Sequence, residues 1–98
     1  MARLVYSDEA FGDVDRIVEF LLTTSPETAG AALKQIQAAV SVLAAHPQIG
    51  RRVDAHRREL VITYGATGFV ALYRHDMRPD VVRILRLRHQ REAGYRDL

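Results

Sequence analysis

The sequence predicts a small α+β fold in which an antiparallel meander packs against an α-helical hairpin. Residues 8–46 carry apolar side chains at helical spacing, and after residue 58 the pattern changes to β-branched and aromatic runs. The chain has 98 residues, of which 48% are hydrophobic and 27% charged, enough for one modest core. We therefore expect one domain over residues 1–98, with the element order βααβββ.

The first strand and the first helix follow each other directly. Leu4-Val5-Tyr6 is a short β-prone run, and Ser7 after it is a candidate N-cap. Asp8 and Glu9 favour the positive end of a helix dipole, so the helix is expected to begin here. Its predicted buried face consists of apolar residues at helical spacing: Phe11, Val14, Ile17, Val18, Leu21 and Leu22.

A second helix is predicted from Ser25-Pro26-Glu27, which combines a cap, a first-turn proline and an early carboxylate. It ends before Pro47. The link through Thr23 and Thr24 is short, so the two helices should form an antiparallel hairpin. The predicted buried residues of the second helix are Ala29, Leu33, Ile36, Val40 and Leu43.

The remaining strands follow a basic, loop-like stretch at residues 47–58. Runs at 60–64, 69–74 and 81–88 are separated by turn residues at 65–68 and 77–80. Short connections of this kind join antiparallel neighbours. Two helices on one face of such a sheet would leave the opposite face available for a partner.

Charge is distributed unevenly along the chain. Residues 1–50 carry 3 positive and 6 negative charges, whereas residues 51–98 carry 11 and 6. An arginine-rich half favours an anionic partner such as nucleic acid, an acidic peptide or an acidic protein surface, although arginines can also simply hydrate a surface. The last strand, the turn before it and the tail contain Arg78, Arg83, Arg86, Arg88, Arg91 and Arg96.

Several classes of site are disfavoured by the composition. The chain has no cysteine, which argues against disulfides, thiolate metal sites and thiol catalysis. Its 4 histidines lack metal-site spacing, and no phosphate-cradling glycine motif occurs, so we expect no metal and no organic cofactor. Neither a secretory signal nor an apolar run of membrane-spanning length is visible. We expect a cytoplasmic protein with no membrane partner.

Four segments occur in order along nearly the whole chain: Leu43-Ala44-Ala45-His46-Pro47-Gln48-Ile49-Gly50-Arg51, Arg58-Glu59-Leu60-Val61, Gly68-Phe69-Val70-Ala71-Leu72-Tyr73-Arg74 and Val82-Arg83-Ile84-Leu85-Arg86-Leu87-Arg88-His89. In this order and at this length they resemble the RelE/ParE superfamily of type II toxin-antitoxin toxins. The resemblance implies a bacterial toxin neutralised by a cognate antitoxin encoded beside it. Such an antitoxin is often a ribbon-helix-helix protein similar to ParD, with a tail that folds over the toxin.

The resemblance leaves two targets open. Members similar to RelE cut mRNA on the ribosome, whereas members similar to ParE poison DNA gyrase. In the mRNA-cleaving branch an arginine commonly follows the Gly-Tyr or Gly-Phe of the middle strand, and here Val70 follows Gly68-Phe69. That branch also tends to place lysines in the loop before the strands, where this chain has arginines, whose pKa is too high for ready use as a base. We therefore predict a ParE-like gyrase inhibitor, with a ribosome-dependent mRNA endonuclease as the alternative.

The predicted target-binding surface lies at the end of the last strand and in the tail, and consists of Arg86, Arg88, His89, Arg91 and Tyr95. Metal-independent RNA cleavage would need a base, an acid and cations around the phosphate. The candidates for that chemistry are His89, Arg91, Tyr95 and Arg51, and no residue is firmly predicted to be catalytic. A structural role for His89, capping the strand through a backbone carbonyl, remains open. A third possibility also remains open, namely that the chain is a relative of these toxins that binds its partner but is not itself toxic.

Overall fold

The structure, a computed structural model, describes residues 1–65, 67–92 and 94–95. Ala66 of the predicted turn and Arg96 of the basic tail lie outside the described residues. The elements are β1 (Arg3–Tyr6), α1 (Asp8–Thr24), α2 (Pro26–Ser41), a 3₁₀ turn (Val42–Ala44), β2 (Arg51–Arg52), β3 (Arg58–Tyr64), β4 (Thr67–Asp76) and β5 (Val81–His89). The predicted α+β class, with a helical hairpin on a meander, is confirmed.

The strands form one sheet in the order β1-β5-β4-β3-β2. β2 to β5 are antiparallel neighbours, and β1 joins β5 in parallel, so the sheet is mixed. The prediction of an unbroken loop at residues 47–58 is wrong, because Arg51 and Arg52 pair with Glu59 and Arg58. This short strand is defined by its backbone pairing, and its sequence lacks the alternation of apolar residues that would have predicted it.

The core lies between the helices and one face of the sheet. Tyr73 at its centre is fully buried, and its phenolic oxygen accepts a hydrogen bond of 2.9 Å from the Gly50 N–H. A Cβ atom at Gly50 would lie 2.6 Å from the Tyr73 ring, so only glycine allows this approach. The core that contains Tyr73 also includes residues of both helices, the 3₁₀ turn and three strands: Ala10, Ile17, Ala32, Ile36, Val40, Leu43, Ile62, Phe69, Ala71, Val82, Ile84 and Leu87.

The buried face of α1 is narrower than the sequence predicts. Ile17 is buried, but Phe11 and Leu22 are 57% and 54% exposed, so assigning them to the core is wrong. Phe11 instead stacks on Tyr6 with ring centroids 5.5 Å apart, outside the stripe that meets β5 and α2. The Ser7 cap is confirmed by a bond of 3.0 Å from the Ala10 N–H to its hydroxyl oxygen, whereas Ser25 makes no side-chain cap bond.

Asp13 is the buried charged residue of the core and ties α1 to β5. One carboxylate oxygen accepts bonds of 2.8 Å from the Leu87 N–H and 2.8 Å from Arg86 Nε. The other accepts from Arg86 Nη2 at 3.1 Å. Arg86 and Asp13 retain only 11% and 5% of their side-chain exposure, so this ion pair is shielded from water.

The edge of β5 beyond its pairing with β1 is covered by side chains instead of a strand. β1 reaches only to Ile84, opposite Tyr6. Past that point the Ser7 hydroxyl donates to the Leu85 carbonyl at 2.8 Å, and the His89 N–H donates to Glu92 Oε1 at 3.0 Å. Asp13 likewise accepts from the Leu87 N–H. The side chains of Ser7, Asp13 and Glu92 thus satisfy backbone groups along a strand edge that no neighbouring strand pairs.

Replacing Asp13 by alanine should destabilise the fold strongly. The change leaves the Arg86 guanidinium buried without its carboxylate, and breaking a buried ion pair in this way costs about 3–5 kcal/mol. Urea unfolding of Asp13→Ala against Asp15→Ala measures the effect, because Asp15 is exposed on the same helix. Equal midpoints for the two variants would contradict a structural role for the pair.

Leu43 and Leu33 should differ when each is truncated to alanine. Leu43 is fully buried, so its loss is expected to cost about 2–5 kcal/mol. Leu33 was predicted to be core but is only half-buried, so the same truncation should cost clearly less. Thermal melts of both variants compare α2 with the 3₁₀ turn that follows it, and a larger loss at Leu33 would contradict the observed packing.

Candidate functional site

The sheet face opposite the helices carries arginines over an apolar strip. We call this the open face; it comprises Glu59, Val61, Val70, Leu72, Arg74, Arg83, Arg86 and Arg88. Val70 and Leu72 are only 2% and 3% exposed although neither belongs to the core cluster. Their register partners are Arg88 and Arg86, and arginine commonly lays its aliphatic stem along apolar surface.

The chain after β5 folds back over the open face through Tyr95. The Tyr95 hydroxyl donates to Glu59 Oε2 at 2.7 Å, and its ring lies 5.3 Å from the Arg88 guanidinium and 6.0 Å from that of Arg86. Arg51 reaches the other oxygen of Glu59 at 2.7 Å. Two of the predicted site residues, Arg51 and Tyr95, therefore meet on one carboxylate.

The electrostatics of this cluster hold Glu59 ionised and Tyr95 protonated. Burial alone would raise the pKa of Glu59, but hydrogen bonds from Tyr95 and Arg51 outweigh it and the pKa is lowered. Burial raises the pKa of Tyr95, and its hydrogen bond to Glu59 raises it further. The phenol is thus a hydrogen-bond donor at neutral pH and a poor general base.

Arg88 holds the turn that follows β5. Its Nη1 donates to the Glu92 carbonyl at 3.0 Å and, at 3.4 Å, to the carbonyls of His89 and Gln90. Its Nε is buried and has no hydrogen-bond partner among the residues that the structure describes. Arg88 is half-buried and in part structural, so reversal of its charge is expected to affect folding as well as binding.

His89 lies on the helix side of the sheet, away from Tyr95. Its ring meets Phe69 edge-on at 5.6 Å and lies 6.5 Å from Phe20 of α1. Nδ1 accepts from the Arg91 N–H at 3.1 Å, so a neutral ring carries its proton on Nε2 and donates to Thr67 Oγ1 at 2.9 Å. The ring caps the strand end as one reading anticipated, but through a backbone N–H and not through a carbonyl.

An apolar groove of about 580 Å³ runs between α1 and the ends of β4 and β5. Phe20, His89 and Arg91 are among the residues that line it, and Phe20 is 56% exposed. Arg16 and Glu92, which form an ion pair of 2.8 Å, also line the groove. The groove thus offers apolar area beside exposed and partly exposed polar groups, a composition typical of a binding surface for protein side chains.

The predicted site residues therefore do not form one cluster. Arg51, Tyr95 and Arg88 lie on the open face, whereas His89 and Arg91 border the groove on the helix side. Arg86, which the sequence assigns to the target-binding surface, pairs with Asp13 in a shielded position. Of the five residues assigned to target binding, Arg91 is exposed and the other four are partly buried.

Three acidic residues that organise this region were missed by sequence reasoning. Asp13 stands in line with Ala10 and Ile17, at the spacing of a buried stripe, and a charged residue there signals a buried partner. Glu59 is the second residue of the Arg58-Glu59-Leu60-Val61 segment. Glu92 gives no such signal, because its partners, Arg16 and the His89 N–H, meet only in the folded chain.

Two negative findings concern the described residues alone. Over residues 1–65, 67–92 and 94–95, no group of three or more His, Cys, Asp or Glu side chains could hold a metal ion. Within the same part of the chain, no helix has the length and apolar character needed to cross a membrane.

Comparisons with known proteins agree with the fold and the segments described above. The family model described as the ParE toxin of the type II toxin-antitoxin system parDE matches residues 4–94. Toxin RelE3 of Caulobacter vibrioides is 38% identical over 80 residues, covering 82% of this chain and 85% of the relative. A solved structure described as a chromosomal ParDE TA system from P. aeruginosa is similar with a TM-score of 0.73 and 26% identity, covering 91% of this chain and 96% of that chain.

A βααβββ core with a short additional strand and a basic C-terminal half defines a small toxin of the RelE/ParE superfamily, as the sequence predicted. More narrowly, the chain belongs to the ParE toxin family of type II toxin-antitoxin systems. Membership of this family implies a cognate antitoxin as partner.

Acid should loosen the tail before it unfolds the core. The pKa of Glu92, like that of Glu59, is lowered: burial acts to raise it, but the hydrogen bond from Arg16 outweighs that effect. A carboxyl group whose pKa falls on folding stabilises the fold above its unfolded value of 4.5, and this contribution is lost as the pH drops through the lower folded value. Stability should therefore fall below about pH 4.5.

Glu59→Gln provides the comparison, since glutamine keeps the shape and cannot titrate. Melting temperatures between pH 7 and pH 3 are expected to fall less steeply for Glu59→Gln than for the unmodified chain. Hydrogen exchange at residues 91, 92, 94 and 95 should rise over the same interval. Parallel pH profiles for the two proteins would contradict an ionised Glu59 as the anchor of the tail.

Proposed function

We propose that this ParE-family toxin inhibits DNA gyrase by binding it, without hydrolysing RNA itself. The observation that carries the proposal is the separation of the candidate catalytic residues between two faces of the sheet. Tyr95 and Arg51 are bound to Glu59 on the open face, and His89 is bound to Thr67 on the helix side. General acid-base cleavage needs its acid and base within hydrogen-bond reach of one substrate.

The position of Val70 supports the same proposal. In the mRNA-cleaving branch of the superfamily an arginine commonly occupies this place, and here the side chain is apolar and 2% exposed. The neighbouring Arg88 directs its Nη1 to backbone carbonyls and so is committed to holding the turn. A phosphate approaching this part of the open face would find Glu59 between its two nearest cations, which disfavours binding of an anion.

We place the gyrase-binding surface at Arg91, His89 and the apolar groove. Arg91 is exposed, and Phe20 and Leu21 supply the apolar wall beside it. Interfaces that bind proteins tightly bury aromatic anchors and arginines together, and this corner of the molecule presents both. The antitoxin is proposed to be a ribbon-helix-helix protein similar to ParD.

A ribosome-dependent mRNA endonuclease remains the second candidate, because the relative from Caulobacter vibrioides carries the name Toxin RelE3. The two functions give different products with purified components. A gyrase inhibitor should accumulate cleaved DNA–gyrase complexes and leave ribosome-bound mRNA intact. Codon-positioned mRNA cleavage with purified ribosomes would overturn the proposal.

Charge reversal at Arg91 should abolish toxicity while leaving the fold intact. Arg91 is exposed, and exposed substitutions usually change stability by no more than about 0.5 kcal/mol. Arg78→Glu is the matched control, since Arg78 is an exposed arginine in the turn between β4 and β5. Toxicity is measured as the growth of cells that express each variant without antitoxin. Thermal melts of the same variants show whether each one is folded.

If Arg91→Glu melts normally and still stops growth, the surface beside the groove is not the target-binding surface. Arg88→Glu is a poor substitute for this test. Its guanidinium holds the carbonyls of residues 89, 90 and 92, so loss of toxicity there would not separate binding from folding.

A further inference from the structure

The side chain of His89 holds the backbone of Arg91 at the edge of the apolar groove. Its Nδ1 atom accepts a hydrogen bond of 3.1 Å from the Arg91 N–H, two positions further along the chain. Aspartate and asparagine side chains commonly form turns of this kind with the N–H two residues on. Asp54 does so in this protein, where it accepts from the His56 N–H at 2.9 Å. His89 therefore makes the histidine counterpart of an aspartate turn.

The Arg91 N–H decides which nitrogen of the ring carries the proton. A neutral imidazole has one donor nitrogen and one acceptor nitrogen, so Nδ1 accepts from Arg91 only while the proton is on Nε2. Nε2 then donates to Thr67 Oγ1 at 2.9 Å. In this tautomer the ring has no acceptor left for the hydroxyl proton of Thr67, so the two residues do not form a nucleophile with its base. The contacts of His89 are those of a residue that holds backbone in place.

Protonation of the ring would break its bond to Arg91. An imidazolium carries a proton on both nitrogens and accepts no hydrogen bond, so two N–H groups would face each other across 3.1 Å. An aspartate turn is insensitive to pH in the neutral range, because the backbone bond from His56 lowers the pKa of Asp54 to about 2. Histidine is the side-chain type that ordinarily changes charge between about pH 5 and about pH 8. The acceptor in this turn is thus a titratable one.

The other hydrogen bonds of the turn do not involve the ring. The Gln90 N–H donates to the Gly68 carbonyl at 2.9 Å, and the Glu92 N–H donates to the His89 carbonyl at 3.0 Å. Glu92 Oε1 accepts from the His89 N–H at 3.0 Å and from Arg16 Nη1 at 2.8 Å. These bonds fix the residues on both sides of Arg91, so protonation of the ring would release Arg91 locally without unfolding the chain around it.

The charged groups that surround the ring keep their charge in the neutral pH range. Those that line the groove are Arg16 from α1 and Arg91 and Glu92 from the turn, while β4 lines the groove with uncharged side chains. Arginine stays protonated throughout. Burial acts to raise the pKa of Glu92, but the hydrogen bond from Arg16 outweighs it and the pKa is lowered, so the carboxylate is ionised above about pH 5.

We propose that His89 is a positioning residue whose neutral ring fixes the backbone that presents Arg91 to the target, and whose protonation releases it. This inference rests on the proposed function, in which Arg91 touches the target. A released turn has to be ordered again on binding, which lowers affinity. Loss of one hydrogen bond predicts binding that is about 2-fold to about 12-fold weaker at about pH 6 than at about pH 8.

Amide exchange in the free toxin tests the release without any target. Protection of the Arg91 N–H, measured by NMR relative to the intrinsic exchange rate at each pH, should fall by about 2-fold to about 12-fold between about pH 8 and about pH 6. His89→Asn should keep this protection, because asparagine supplies an acceptor oxygen that does not titrate. Equal protection of the Arg91 N–H at both pH values in the unmodified toxin overturns the proposal.

Two substitutions at His89 separate positioning from direct contact with the target. His89→Asn keeps an acceptor and loses the ring, whereas His89→Phe keeps a ring against Phe69 and Phe20 and loses the acceptor. Growth of cells without antitoxin should show that His89→Asn rescues the toxicity that His89→Phe loses, with thermal melts confirming that both are folded. The reverse order would mean that the ring itself contacts the target, and would overturn the positioning role.

The affinity for purified gyrase at the same two pH values connects the release to target binding. Gyrase has titrating groups of its own, so variants are compared with each other. His56→Asn is the matched control, since His56 is an exposed histidine in the loop after β2. The unmodified toxin and His56→Asn should lose affinity in parallel, and His89→Asn should lose less.

The outcomes for gyrase distinguish this inference from the proposed function. Equal losses of affinity for His89→Asn and the unmodified toxin would overturn the positioning role and leave gyrase as the target. If no variant binds gyrase at either pH, the proposed function fails instead. Exchange at the Arg91 N–H still decides whether His89 holds the turn, because that measurement contains no target.

Discussion

The buried pair of Asp13 and Arg86 is the interaction on which the rest of this structure depends. The carboxylate binds the guanidinium and the Leu87 N–H together, so a single side chain of α1 fixes the helix against β5 and completes the edge of the strand. A buried ion pair adds little net stability compared with well-packed apolar residues. Its contribution here is to specify one register of helix against strand, because no other described acidic side chain on α1 is buried.

The C-terminal turn inherits its position from this pair. Arg88 follows two residues after Arg86, points to the same face, and gathers the carbonyls of the turn, while Glu92 returns to the edge of β5 and to Arg16. Tyr95 then reaches Glu59 on the far side of the meander. The surface proposed for target binding is thus assembled by contacts between residues that are distant in sequence.

This explains which parts of the molecule were predictable from the sequence. The helices and three long strands follow from apolar periodicity and from turn residues, both of which are local signals. Strand β2 was missed because two arginines carry no such pattern. The exposure of Phe11 and Leu22 was missed because periodicity states that a helix has an apolar face but not how much of that face its neighbours cover.

The site was less predictable than the fold for a physical reason. Residues 86, 88 and 89 are close in sequence, yet strand alternation sends His89 to the helix side and Arg88 to the open face. A residue list from the sequence could not reveal that Arg86 has a buried acidic partner 73 positions away. Sequence indicated that the region is cationic, and only the folded chain shows which cations remain available.

The outer strand β2, only two residues long and made of two arginines, also affects whether copies of this protein can associate through their sheet edges. An exposed sheet edge is a template on which another copy can add its own strand. Here the template is too short to hold a second chain in register, and two like edges approaching each other would bring four guanidinium groups together. The β2 edge therefore disfavours addition of a strand from a second copy.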